Sequence, residues 1–182
     1  MIKQSITMLV LGVALAFTSN ANAQEFSGLD KSPADIAIFR VERDAPPMVK
    51  VIYGRPMLKG RVVGEELATF GKVWRTGANE ATEIKFYEDV LLGGSEIPAG
   101  TYSLFTIPGK DQWTVIINAD TDIWGAYNYD PAKDVARIDV PAKQGENSLE
   151  AFSITFEPTD EGANMLMGWD KLRVAVPIKP AQ

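Results

Sequence analysis

Thr101-Tyr102-Ser103-Leu104-Phe105-Thr106-Ile107 and Trp113-Thr114-Val115-Ile116-Ile117 are two runs of β-branched, aromatic and aliphatic residues. Pro108-Gly109 ends the first run, and the turn Gly109–Gln112 leads into the second. Residues of this kind suit a pleated, half-buried surface, and the short Gly-containing link predicts an antiparallel hairpin. Similar text surrounds it. On the N-terminal side Val49–Tyr53, Glu83–Tyr87 and Val90–Leu92 read as strands, the last closed by Gly93-Gly94 as a turn. On the C-terminal side come Val135–Val140, Phe152–Phe156, Met165–Trp169 and Leu172–Ile178. Strands at intervals of about 8–12 residues are the pattern of sandwiches and barrels. No stretch carries an apolar stripe of helical period beyond two turns. The sequence therefore predicts an all-β domain, a single antiparallel β-sandwich of nine or ten strands, with a barrel as the alternative.

The beginning of the chain has a different character. Lys3 precedes an apolar run from Ile6 to Phe17, followed by Ala21-Asn22-Ala23, the pattern of a cleavable secretory signal. The run falls short of the ~20 residues that span a bilayer. Residues 1–23 are thus read as a signal peptide and 24–47 as an extended lead-in in which only Ile36–Phe39 invites docking. Residues 48–182 are the β-sandwich domain. Removing 23 of the 182 residues leaves 159, with no membrane span expected in the mature chain and a periplasmic or extracellular location. A chain this long buries about 68–70% of its unfolded surface and folds without covalent staples, which matters because it has no Cys.

It has no His either. Those absences close the Ser-His and Cys-His nucleophile pairs and the thiolate and imidazole metal ligands. No nucleophile elbow or phosphate-binding glycine loop is present. Asn118-Ala119-Asp120-Thr121-Asp122 places oxygens at alternate positions but lacks the glycine and distal glutamate of a calcium loop. It reads instead as a strand-ending turn. No cofactor, metal or catalytic residue is assigned; Ser–Lys catalysis stays formally open with no residue pattern behind it, and carboxylate-based hydrolysis is the other enzymatic route left.

The formal charge of −6 argues against nucleic acid as a partner. Against that acidic background, residues 55–75 carry Arg55, Lys59, Arg61, Lys72 and Arg75 with only Glu65 and Glu66. The stretch Gly71-Lys72-Val73-Trp74-Arg75-Thr76-Gly77-Ala78-Asn79-Glu80-Ala81-Thr82 combines a stacking face, a bidentate cation, an amide and a carboxylate. It reads either as a ligand site or as an internal network with Trp74 in the core and Arg75 paired to Glu80 or Glu83. Trp124-Gly125-Ala126-Tyr127-Asn128-Tyr129 forms a second candidate, either an aromatic platform or a plug folded into one end of the sandwich. The candidate ligand-binding residues are Arg55, Lys59, Arg61, Lys72, Trp74, Arg75, Thr76, Asn79, Glu80, Trp124 and Tyr127.

Several of these stretches resemble a bacterial exported family known as domain of unknown function 2911. They are Tyr53-Gly54-Arg55-Pro56, Lys59-Gly60-Arg61, the segment Gly71–Thr82, Ala99–Pro108 and Trp124–Tyr127. The resemblance runs from Leu29 to Ile178 and implies export and a compact β fold, but supplies no catalytic residues. The expected function is a non-catalytic exported binding module for an anionic or carbohydrate-like small molecule. A protein-protein interaction domain of the cell envelope is the alternative.

Overall fold

The computed structural model describes residues 25–181. The signal-peptide reading of residues 1–23 lies outside them. Nine strands form: β1 Ala34–Phe39, β2 Val49–Gly54, β3 Thr82–Phe86, β4 Val90–Leu92, β5 Ser95–Ile97, β6 Gly100–Ile107, β7 Gln112–Asn118, β8 Asp134–Thr159 and β9 Gly162–Pro180. They join in one sheet of order β1-β2-β3-β6-β7-β8-β9-β4-β5, with every pairing antiparallel. The all-β antiparallel fold is the one expected. β6 and β7 form the hairpin read from the sequence, with Ser103 opposite Asn118 and Ile107 opposite Thr114. The docked part of the lead-in is β1, which pairs along β2 from Ala34–Gly54 to Phe39–Val49.

The sheet folds over on itself because β8 changes partner. Its first arm pairs with β7 as far as Pro141. From Ala142 it pairs with β9, and its register shifts between Gln144 and Leu149 and again before Ser153. Such bends let one strand serve two layers. Alternation then sends one set of side chains inward: Val49 and Val51 from β2, Ile84 and Phe86 from β3, Trp113, Val115 and Ile117 from β7, and Phe152, Met165, Met167, Trp169 and Val176 from the β8–β9 hairpin.

Trp74 lies among them. Its ring stacks on Trp169 at 5.5 Å and 16° and takes Phe152 edge-on at 4.9 Å and Trp113 edge-on at 6.1 Å. Its indole N–H donates to the Gly77 carbonyl at 3.1 Å. These offset and edge-on geometries are the favourable ones for aromatic pairs.

Where the fold comes nearest to closing, residues after β2 meet the second arm of β8. Leu58 N–H donates to Glu150 O, and Phe152 N–H donates to Pro56 O. Arg55 ties this seam, with Nη1 on Asp35 at 3.0 Å, Nη2 on the Ser153 hydroxyl at 2.7 Å and Nε on Phe152 O at 3.1 Å. Tyr53 completes it, its hydroxyl accepting from Ile154 N–H at 2.9 Å and lying 3.3 Å from Ile154 O.

Burial pushes the Tyr53 hydroxyl above its ordinary value of 10.0. A folded-state value raised in this way gives stability that is present below pH 10 and is lost as the pH climbs through the folded value. Tyr53→Phe should therefore cost about 1–3 kcal/mol at neutral pH, because Ile154 loses its partner. The variant should also decline less above pH 10 than the parent. Urea midpoints measured across the alkaline range test both.

Candidate functional site

Residues 71–82 run in irregular backbone between the long loop after β2 and the start of β3. Trp74 bridges Thr106 of β6 in both directions, N to O at 2.7 Å and O from N at 2.9 Å, which fixes the segment to the sheet. Thr76 and Asn79 hold positive φ angles of 52° and 63°, conformations that are costly for residues other than glycine. Buried bonds impose the first. Thr76 Oγ1 bonds Thr106 Oγ1 at 3.1 Å, and Thr82 Oγ1 donates to Thr76 O at 2.8 Å.

The turn so formed receives the second aromatic motif. Ala81 N–H donates to Ile123 O at 2.8 Å and Gly125 N–H to Asn79 O at 3.0 Å, with Glu80 and Trp124 paired as a β-bridge. Two motifs more than forty residues apart thus form one rim. The Trp124 loop does not turn into the sandwich. Trp124 and Tyr127 stack on each other at 5.6 Å and 13° and are 59% and 76% exposed. Tyr129 alone of the three packs against the sheet, edge-on to Phe105 on its outer face at 5.1 Å. Gly125, at φ 73°, has no room for a side chain, since a Cβ there would meet the Tyr127 ring at 2.7 Å.

Arg75 lies beneath this loop, its Nη1 3.7 Å from where a Gly125 side chain would begin. It pairs with neither Glu80 nor Glu83, and its buried Nε has no hydrogen-bond partner among the described residues. Beside the rim, on the outer face of β2, β3 and β6, is a cavity of about 360 Å³ lined by Ser32, Ile52, Asn79, Glu80, Glu83, Ser103, Asp122 and neighbours that include Asp30. Asp30 accepts from Asn79 Nδ2 at 3.1 Å and from Ser32 N–H at 2.6 Å. The Ser32 N–H first, then the Asn79 amide, hold its carboxyl below the ordinary 3.8.

The structure therefore gathers Arg75, Asn79, Glu80, Trp124 and Tyr127 and separates them from the rest of the basic island. Arg55 is taken up in the seam. Lys59 bonds Glu150 through its backbone N–H while its side chain stays exposed. Arg61 folds back on the carbonyls of Leu58 and Met57 at 3.1 and 2.9 Å. Lys72 is exposed, Trp74 belongs to the core and Thr76 is fully buried.

Sequence reading missed Asp30, Glu83 and Asp122 as lining residues. Outward alternation along β3 could have found Glu83; nothing local marks Asp30. Asn118–Asp122 forms an Asx turn, with Asp120 N–H on Asn118 Oδ1 at 2.9 Å and the Asp120 carboxylate paired to Lys133 at 2.6 Å. Among the described residues no three acidic side chains gather at metal-binding spacing. No helix among them is long and apolar enough to cross a membrane.

Fold and site together define a folded-over antiparallel β domain that carries an acidic, aromatic-rimmed cavity on irregular loops. The chain belongs to the family described as "Protein of unknown function (DUF2911)", which matches residues 32–178 and so takes in the fold from just before β1 into β9. No curated protein and no solved structure matches it.

Proposed function

We propose that this chain is a non-catalytic binding module for a carbohydrate-like ligand, exported from the cytoplasm by the signal read in residues 1–23. The observation that supports this most is the joining of the Asn79–Ala81 turn to the Trp124–Tyr127 loop, which sets exposed, mutually stacked rings beside a polar cavity. A sugar presents an apolar C–H face that packs on an aromatic ring. Its hydroxyls donate to carboxylates, and the cavity offers Asp30, Glu80, Glu83 and Asp122 with the Asn79 amide among them. Its volume lies near the lower end of small-molecule sites, about 300–1,000 Å³, which suits one or two sugar rings.

The same lining narrows the ligand. Carboxylates without a cation in the wall oppose a bound anion, so neutral and amino sugars fit better than sugar acids. Those carboxylates also favour a second reading, a glycoside hydrolase working with an acidic pair. Against it stands Asp30, whose carboxyl is held below the ordinary range, the opposite of what a general acid needs.

Calorimetric titration of neutral sugars, amino sugars and sugar acids tests the reading, with each mixture also assayed for released reducing ends. A neutral or amino sugar should bind, and Trp124→Ala should weaken it about tenfold, a loss of about 1.4 kcal/mol. The exposed ring should leave stability within about 0.5 kcal/mol. Binding of sugar acids alone, or affinity unchanged in Trp124→Ala, would overturn the proposal. Reducing ends that accumulate with time would replace it with the hydrolase.

A further inference from the structure

The outer face of the β8–β9 hairpin carries a pair of cations in an unusual place. Lys143 and Arg173 stand directly opposite each other in the ladder, an arrangement that costs stability when both are charged. Among the described residues neither makes an ion pair. Arg173 is held rigidly by neutral acceptors, Nη1 on the carbonyls of Asp170 and Leu172 at 2.8 Å each and Nη2 on that of Asn147 at 2.6 Å. Its charge is fixed in position and left uncompensated. Lys143 is exposed, and its ammonium bonds no side chain or carbonyl of the described residues.

Beside this pair, in the crook where the hairpin bends, is a cavity of about 350 Å³. Its walls are largely aliphatic: Leu149 in the bend, Leu166 on the outward face opposite Thr155, and Pro141 and Ala175 on the other arm. It shares no lining residue with the acidic cavity. Apolar walls with two uncompensated cations at one side match a ligand with an aliphatic tail and an anionic head. A carboxylate is the most compact head of this charge. Three of the five N–H groups of Arg173 already serve carbonyls, which leaves Nε–H and one Nη2–H beside the Lys143 ammonium for a small anionic head. None of the strongly exposed large hydrophobic residues lines this cavity, so nothing around it would enter a bilayer, which points to a free molecule.

We propose that this crook is a second ligand site, one for a free aliphatic carboxylate of short to medium chain. The chain lies against Leu149 and Leu166 and the carboxylate lies between Lys143 and Arg173.

Calorimetric titration of the full chain with octanoate, nonanoate and decanoate, each below its micellar concentration, tests this. One molecule should bind per chain, and each added methylene should tighten binding about fourfold, the equivalent of about 0.8 kcal/mol. Methyl decanoate, without the charge, should bind at least tenfold more weakly. Lys143→Glu should weaken decanoate at least tenfold without lowering the melting temperature, since it turns a like-charge pair into an opposite one. Leu166→Asp should do the same to affinity, and Trp124→Ala should leave it unchanged. The proposal fails if none of the carboxylates binds, if decanoate affinity survives Lys143→Glu, or if the protein binds phospholipid vesicles and not the free acid.

Discussion

Trp74→Ala is expected to lower the unfolding free energy by about 3–5 kcal/mol, as large-to-small changes at a packed aromatic do. Three features put it at the upper end of single substitutions. The indole touches three aromatic rings, contributed by β7 and by both strands of the bent hairpin, so its removal opens a cavity between the two layers. Those rings are themselves buried and fixed, Trp113 and Trp169 at 1% exposure and Phe152 at 0%, and have little freedom to collapse into the space. The buried Gly77 carbonyl also loses its indole donor. The midpoint of urea unfolding should fall with little change in slope, and the melting temperature should drop by roughly 10 °C for a domain of this size. Trp124→Ala removes the same side chain from a place where it is 59% exposed and should be nearly neutral. Equal costs for the two variants would mean that Trp74 does not hold the layers together.

The contrast between these tryptophans shows where sequence reading stops. Alternation found the strands: Val49–Tyr53, Glu83–Tyr87 and the hairpin of Thr101–Ile107 with Trp113–Ile117 fall on ladders, the second ending one residue early at Phe86. Trp113 follows the same logic into the core, because a strand has only two faces. Trp74 sits in irregular backbone, where no period assigns a face, and its neighbours come from distant strands. That left its two readings open until the chain was folded.

The later strands failed for another reason. Polar text at Gly145-Glu146-Asn147-Ser148 and at Asp170-Lys171 looks like turns, yet β8 and β9 each run on through it. There the two strands bend together, Leu149 opposite Asp170, with the polar residues turned to solvent. Continuity of that kind is a property of the pair and not of either strand. The basic island misled in a similar way. Five cations within twenty-one residues suggest one surface, but Arg55 and Arg61 are drawn to backbone carbonyls at the seam and its loop. Arg75 is left at the rim. Charge spacing in sequence does not carry direction. What did transfer was the association of residue types: the amide and carboxylate of Asn79-Glu80 and the rings of Trp124 and Tyr127 end up side by side.

Gly54→Ala should show that this meeting depends on a close approach of backbones. A Cβ at position 54 would come within 2.4 Å of the Ala78 carbonyl oxygen, 3.1 Å of its carbon and 3.2 Å of the Ala78 nitrogen. All three are backbone atoms, so no side chain can swing away, and either β2 or the turn must move. Overpacking of this kind costs about 1–3 kcal/mol. The displacement also has a direction. Ala78 leads into Asn79, whose carbonyl receives Gly125 N–H and whose amide holds Asp30. The rim and the cavity wall would therefore shift together. Trp74→Ala acts in the core, so sugar affinity should survive at temperatures where that variant remains folded. Gly54→Ala should lose stability and sugar affinity in the same molecule, the latter by at least the tenfold expected of Trp124→Ala. Urea unfolding and a sugar titration on both variants separate the two cases. If Gly54→Ala is as stable and binds as well as the parent, then Gly54 is not what seats the Asn79 turn, and the rim must be held by Thr76 and Thr82 alone.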